Sequence, residues 1–236
     1  MSYLILIRHG QSTWNLEKRF TGWVDVDLTE DGILEAKKAG KLIKKEKIKF
    51  DFFYSSFQIR ANQTLRLILE ILNINQKFTR AWQLNERHYG SLTGLNKIEM
   101  SKKLGEKRIH QFRRSWDLRP DPLDKKSHFH PLNIETYKDV PVEKIPDTES
   151  LKDTYMRVMD FYNKEIKERM NENNILISAH GNSIRALCKY LLDISEKEIS
   201  NLEIPTGNPL LIKFKNKKIS ECKYLDKSRA KDLLVF

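Results

Sequence analysis

The chain has 236 residues and a formal net charge of +11, with 39% hydrophobic and 32% charged residues. That length and apolar share are enough for a buried core without disulfide or metal staples, and they exclude wholesale disorder. No apolar run reaches the roughly 18 residues of a membrane span, Met1 to Arg8 carries no basic secretory leader, and Cys188 and Cys222 form no C-x-x-C. The expectation is a cytoplasmic enzyme or binding protein.

Tyr3 to Ile7 is an unbroken apolar run, as in a strand buried on both faces. Thr29 is placed to cap a helix reaching about Lys47, with Ile33, Ala36, Gly40 and Ile43 on one side. Phe50 to Tyr54 reads as a second strand, Ile59 to Leu72 as a helix and Thr79 to Leu84 as a third strand. Lys97 to Trp116 is helical with a break near Gly105. Prolines at 120, 122, 131, 141 and 146 make Asp117 to Asp147 irregular, because proline fixes φ and removes a donor. A helix starts at Thr148 or Ser150 and runs to about Met170. A strand follows at Asn174 to Ser178, then a helix from about Ser183 to Leu192. Leu210 to Phe214 and Ile219 to Leu225 form a terminal strand pair around Asn216-Lys217, followed by a charged tail expected to be mobile. Strands alternating with helices predict a three-layer α/β/α domain over 1–236 with a mostly parallel sheet. The stretch near residues 92–146 is expected to be a cap over one end of it.

The positive charge fits either a polyanionic partner or a solvated lysine surface. The lysines fall in helical or tail pairs such as Lys37-Lys38, Lys44-Lys45, Lys102-Lys103 and Lys217-Lys218, with no nucleic-acid module, which favours the surface. The arginines are more informative, because a guanidinium fork matches phosphate or carboxylate. In open α/β sheets ligands bind beyond the carboxyl ends of the strands. Those ends carry Arg8-His9-Gly10, Ser55-Ser56 with Arg60 beyond, Asn85-Glu86-Arg87-His88-Tyr89-Gly90, and Ala179-His180-Gly181-Asn182. Two histidines, a carboxylate and several arginines on one face suggest phosphoryl transfer through histidine. A neutral imidazole is a nucleophile, guanidinium groups keep it neutral and hold phosphoryl oxygens, and Glu86 serves as acid or base. His128-x-His130 lies in a proline-rich loop without carboxylate or thiolate neighbours and is read as incidental, so no metal is expected.

Leu6-Ile7-Arg8-His9-Gly10-Gln11-Ser12-Thr13-Trp14-Asn15 resembles the signature of the histidine phosphatase superfamily. Phe20-Thr21-Gly22-Trp23, Leu84 to Gly90, Gly94 to Lys97, Arg113-Arg114, Ala179 to Ser183 and Ile204 to Gly207 resemble, in order, the cofactor-dependent phosphoglycerate mutases. The resemblance implies that His9 is the phosphohistidine and Glu86 the proton donor and acceptor. It implies that Arg8, Asn15, Arg60 and His180 surround the transferred phosphoryl. Thr21, Gly22, Arg87, His88, Tyr89, Lys97, Arg113, Arg114, Gly181 and Asn182 would bind the rest of a small phosphorylated substrate. It further implies 2,3-bisphosphoglycerate as priming donor, interconversion of 3- and 2-phosphoglycerate, and a homodimer or homotetramer. A bisphosphoglycerate synthase or phosphatase on the same scaffold is the near alternative, and an inactive phospholigand-binding module the distant one. Ser91, Thr93, Asn208 and the Ser127 to Lys138 stretch depart from the family pattern.

Overall fold

A computed structural model describes residues 1–229. The strands are β1 (Ser2–Arg8), β2 (Phe52–Ser55), β3 (Thr79–Arg80), β4 (Ile175–Ala179), β5 (Leu210–Lys215) and β6 (Lys218–Tyr224). They form one sheet in the order β3-β2-β4-β1-β5-β6. β3, β2, β4 and β1 pair in parallel, while β5 pairs antiparallel with both β1 and β6. The sheet is therefore mixed, with β5 the reversed strand.

The unbroken apolar run of β1 has its explanation in two covered faces. Leu4 and Leu6 join one core cluster with Ile175, Ile177, Val158, Ile184 and Leu187, while Ile5 and Ile7 join another with Ile43, Phe53, Leu65 and Leu176. Each such side chain contributes about 1.5–3 kcal/mol by leaving water. After the short helix α1 (Thr13–Leu16), the first face is covered by helices α6 (Leu151–Phe161) and α7 (Gly181–Leu191), the second by α2 (Glu30–Lys45) and α3 (Ile59–Leu72). This is the expected α/β/α layering. α2 starts where Thr29 Oγ1 accepts the Gly32 amide, with Glu30 and Asp31 in its first turn and Lys44 and Lys45 in its last, matching the helix dipole at both ends. α6 begins in a capping box of Ser150 and Asp153. Asn216 and Lys217 take φ of 52° and 63°, the left-handed pair that a two-residue hairpin turn requires.

Several boundaries differ from expectation, β2 starting at Phe52 rather than Phe50 among them. The third strand stops at Arg80, and Trp82–Leu84 is a 3₁₀ turn that drops Leu84 into the core. The long helix expected to reach Met170 passes at Tyr162–Ile166 into a π turn, so its α-helical part ends at Phe161. The last long helix starts at Gly181, not Ser183, placing Gly181 and Asn182 in its first turn. The break at Gly105 is where expected, between α4 (Lys97–Leu104) and α5 (Glu106–Arg114). Residues 92–146 contribute to two small cores. One joins Phe20, Leu92, Ile109 and Phe112; the other joins Trp23, Tyr137 and Val140. The tail expected to be mobile, from residue 230, lies outside the described residues.

Candidate active site

The site begins with a register. β1 and β4 are adjacent and parallel, with Arg8 opposite Ala179, and the His9 amide donates to Ala179 O at 3.0 Å. The residues that follow the two strands therefore emerge side by side, and the rings of His9 and His180 lie 5.0 Å apart. After β1 the chain leans on the start of α2. A Cβ at Gly10 would stand 2.1 Å from Gly32 O, so two backbones touch where only glycine fits.

His9 is 2% exposed. Burial pushes its pKa well below the usual 6.5, and the fields of Arg60 and Arg8 push it further, against one hydrogen bond to Gly10 O. That bond, from Nδ1 at 2.7 Å, fixes the tautomer, because a carbonyl only accepts. The neutral ring carries its proton on Nδ1 and presents the Nε2 lone pair. His180 is lowered in the same way, by burial first and then by Arg60, His9 and Arg8, and its Nε2 bonds Ser56 Oγ at 2.7 Å.

Glu86 is buried, yet its pKa is lowered. Burial alone would raise it, but the Arg87 amide, the Asn182 side chain, Arg8 and Arg60 together outweigh that cost. Oε1 accepts from the Arg87 amide at 2.7 Å and from Asn182 Nδ2 at 2.7 Å. Oε2 is left free, 3.7 Å from where a Gly181 Cβ would stand. Asn182 also donates to the Tyr89 hydroxyl at 3.1 Å, and its own Oδ1 accepts from Arg185 at 2.7 Å.

The arginines divide by what they already hold. Arg8 gives Nη1 to Ile204 O and keeps a buried Nε without partner. Arg60 gives Nη1 to Val24 O and Nη2 to Gly22 O, so it acts on the histidines through its field while tying down the turn at Thr21 and Gly22. Arg87 is fully buried over the Tyr89 ring. Nη2 donates to Phe112 O, while Nε and Nη1 meet no protein acceptor. Lys97 donates to Arg19 O above the Phe20 ring, its pKa lowered to about 8 chiefly by burial, with Arg113 and Arg8 adding to it. Asn15 spends Oδ1 on the Ser12 amide.

Arg113 lies near Tyr89 and Lys97, while Arg114 pairs with Glu203 and donates to Leu202 O beside Arg8 and Arg185. His88 sits apart from the other expected members. The His88 ring lies 6.2 Å from His130, its Nδ1 taking the Gly90 amide, and burial lowers its pKa to about 3. Sequence reasoning gave no role to Ser56 and Gln58. Gln58 Oε1 accepts the Glu86 amide, its Nε2 donates to Gly22 O, and its own amide donates to Ser56 Oγ. Arg185 was also missed. Its position three residues after Asn182 puts it on the same helix face, which was a usable signal.

The chain matches the histidine phosphatase superfamily (branch 1) over residues 4–140 and 126–226. It is 66% identical to a 2,3-bisphosphoglycerate-dependent phosphoglycerate mutase of Pelagibacter ubique, with all of both chains covered. The chain belongs to this mutase family. An enzyme of the same name from Maricaulis maris is 45% identical, covering 99% of this chain and 98% of that one. Among solved structures, a mycobacterial glucosyl-3-phosphoglycerate phosphatase has a TM-score of 0.68 at 20% identity, covering 94% of this chain and 97% of its own. The α-ribazole phosphatase of Shigella flexneri has a TM-score of 0.65 at 20% identity, covering 92% and 93%. Those two show the α/β fold of this chain and nothing finer. Among the described residues no helix is long and apolar enough to cross a membrane, and no group of three or more His, Cys, Asp or Glu could hold a metal.

Proposed function

We propose that the protein interconverts 3-phosphoglycerate and 2-phosphoglycerate by way of a phosphoryl group carried on His9. The observation that carries the reading is the neutral, tautomer-fixed His9, with Nε2 free, beside His180 and within the field of Arg8 and Arg60. The relatives' names point to 2,3-bisphosphoglycerate, which supplies the phosphoryl that loads His9. The buried N–H groups of Arg87 and Arg8 that meet no protein acceptor fit such a polyanion, since a guanidinium pairs strongly with phosphate or carboxylate. Tyr89, Lys97, Arg113 and Asn182 complete the wall that would bind the substrate's other phosphate and carboxylate.

In the transfer step a substrate hydroxyl attacks the phosphorus on His9. The O–P bond forms, the N–P bond breaks, and the hydroxyl proton passes to the free Glu86 oxygen. In the return step the His9 Nε2 lone pair takes a phosphoryl, and the leaving oxygen recovers the proton from Glu86. Arg8 and His180 hold the phosphoryl oxygens throughout, and Arg60 steadies their charge through its field. The reading calls for no metal, places the enzyme in the cytoplasm and includes assembly as a homodimer or homotetramer.

The test follows 3-phosphoglycerate conversion with and without 2,3-bisphosphoglycerate, in the presence of a strong chelator. Turnover is expected to depend on priming and to survive the chelator, and acid-labile label from the bisphosphate should reach parent protein but not His9→Ala. Label at one site per chain in His9→Ala would remove His9 as the carrier.

A further inference from the structure

Glu86 and Arg87 lie in a stretch with no regular structure, between the 3₁₀ turns Trp82–Leu84 and Gly90–Leu92. Neither helix nor sheet hydrogen bonds hold it, so its precision has to come from elsewhere. Gln58 holds the Glu86 amide, and Arg157 on α6 holds the carbonyls. Nη1 donates to Gln83 O at 2.6 Å and to Asn85 O at 2.9 Å, and Nη2 to Glu86 O at 3.0 Å. The same guanidinium forks onto Glu149, Nε to Oε1 at 2.7 Å and Nη2 to Oε2 at 2.9 Å. Glu149 Oε2 also accepts the His88 amide at 2.8 Å, and the Glu149 amide donates to His88 O at 3.0 Å. The two side chains are 8% and 5% exposed.

A guanidinium has five N–H groups. Arg157 spends all of them, three on backbone carbonyls of the loop and two on Glu149, and has none left for a ligand. A buried ion pair is a weak means of adding stability. It is a strong means of fixing geometry when every donor has its own acceptor. We propose that Arg157 and Glu149 are a positioning pair for the reaction. They grip the backbone on both sides of Glu86 and Arg87 and so aim the proton carrier at the substrate oxygen. The inference rests on the reading of Glu86 as that carrier.

The test is a cycle of Arg157→Lys and Glu86→Gln. Lysine keeps the charge but offers a point donor in place of the fork. Displacement of a catalytic group by about 1 Å costs on the order of 10²-fold in rate. Arg157→Lys should therefore lower kcat by about 10- to 100-fold while KM moves less than about threefold. On the Glu86→Gln background, already slowed by about 10²–10⁴-fold, the second substitution should cost less than about threefold more, because there is no proton left to aim. Parent-like kcat in Arg157→Lys, or equal losses on both backgrounds, would overturn the positioning role. Parent-like kcat in Glu86→Gln would instead overturn the assignment of Glu86. Glu149→Gln, which keeps shape and an acceptor, should show the same split if Arg157→Lys does not fold. If neither variant folds, the pair serves the fold and the proposal fails.

Discussion

Arg87→Met separates ligand binding from folding, because the guanidinium it removes is buried and half idle. Nε and Nη1 meet no protein acceptor. A hydrogen bond to a charged partner is worth about 1.5–3 kcal/mol. Two such bonds to a substrate phosphate or carboxylate amount to about 3–6 kcal/mol, and their loss should lower kcat/KM by about 10²–10⁴-fold. The melting temperature of the free variant should hold. Removing an unpaired buried charge is neutral or stabilising, which offsets the lost bond to Phe112 O and the stacking on Tyr89. The assay is thermal melting with 3-phosphoglycerate at about 100 times the parent Kd. Parent protein then gains about 2.7 kcal/mol, a rise of about 5–11 °C for a chain of this size. A variant with its Kd raised 100-fold sits near half saturation and gains only about 0.4 kcal/mol, or 1–2 °C. A parent-like shift together with parent-like kcat/KM would mean that the idle donors face no ligand.

Stability should fall on mild acidification. The pKa values of His9, His88 and His180 are all lowered on folding, so below the unfolded value near 6.5 the unfolded chain binds more protons and is favoured. Between pH 7.5 and 5.5 each should cost about 1.4 kcal/mol, about 4 kcal/mol together; urea unfolding at the two pH values measures it, and an unchanged midpoint would refute buried neutral imidazoles. Gly10→Ala forces a Cβ to 2.1 Å from Gly32 O, whereas at Gly181 the nearest atoms, Arg8 Nε and Glu86 Oε2, are 3.7 Å away. Gly10→Ala should lose 3 kcal/mol or more, or fail to fold, while Gly181→Ala should fold with parent-like melting and a reduced kcat/KM. Equal stability of the two variants would show that the Gly10–Gly32 approach relaxes freely.

What the sequence displays well is where β1 and β4 end. Tyr3 to Ile7 and Asn174 to Ser178 are apolar at every step because both faces of the sheet are covered, and the polar residues of the site begin where those runs stop. The pairing of β1 with β4 is a long-range choice that neither segment reveals alone. Thr79 to Leu84 looked like a strand because Ala81 and Leu84 are core residues, but the chain turns after Arg80 to deliver them. The helical period through Met170 hides one widened turn, which shifts no apolar residue out of the core. The adjacent Arg113 and Arg114 read alike in sequence, but neighbours on a helix point in different directions, and Arg113 lies near Lys97 while Arg114 meets Glu203. Glu149 and Arg157 carry no motif, because what they hold is main chain.

The placement of His9 and His180 at the ends of adjacent parallel strands also makes activity a clock for folding. On the proposed mechanism the nucleophile is made early in synthesis and its partner 171 residues later, so a growing chain has no reaction centre until β4 has emerged and slotted between β1 and β2. Such long-range parallel pairing closes slowly compared with local helix formation. In refolding, helical signal should return first and turnover last. Activity regained per molecule then counts chains whose central strand has docked in register, a quantity that spectroscopic helix content cannot report.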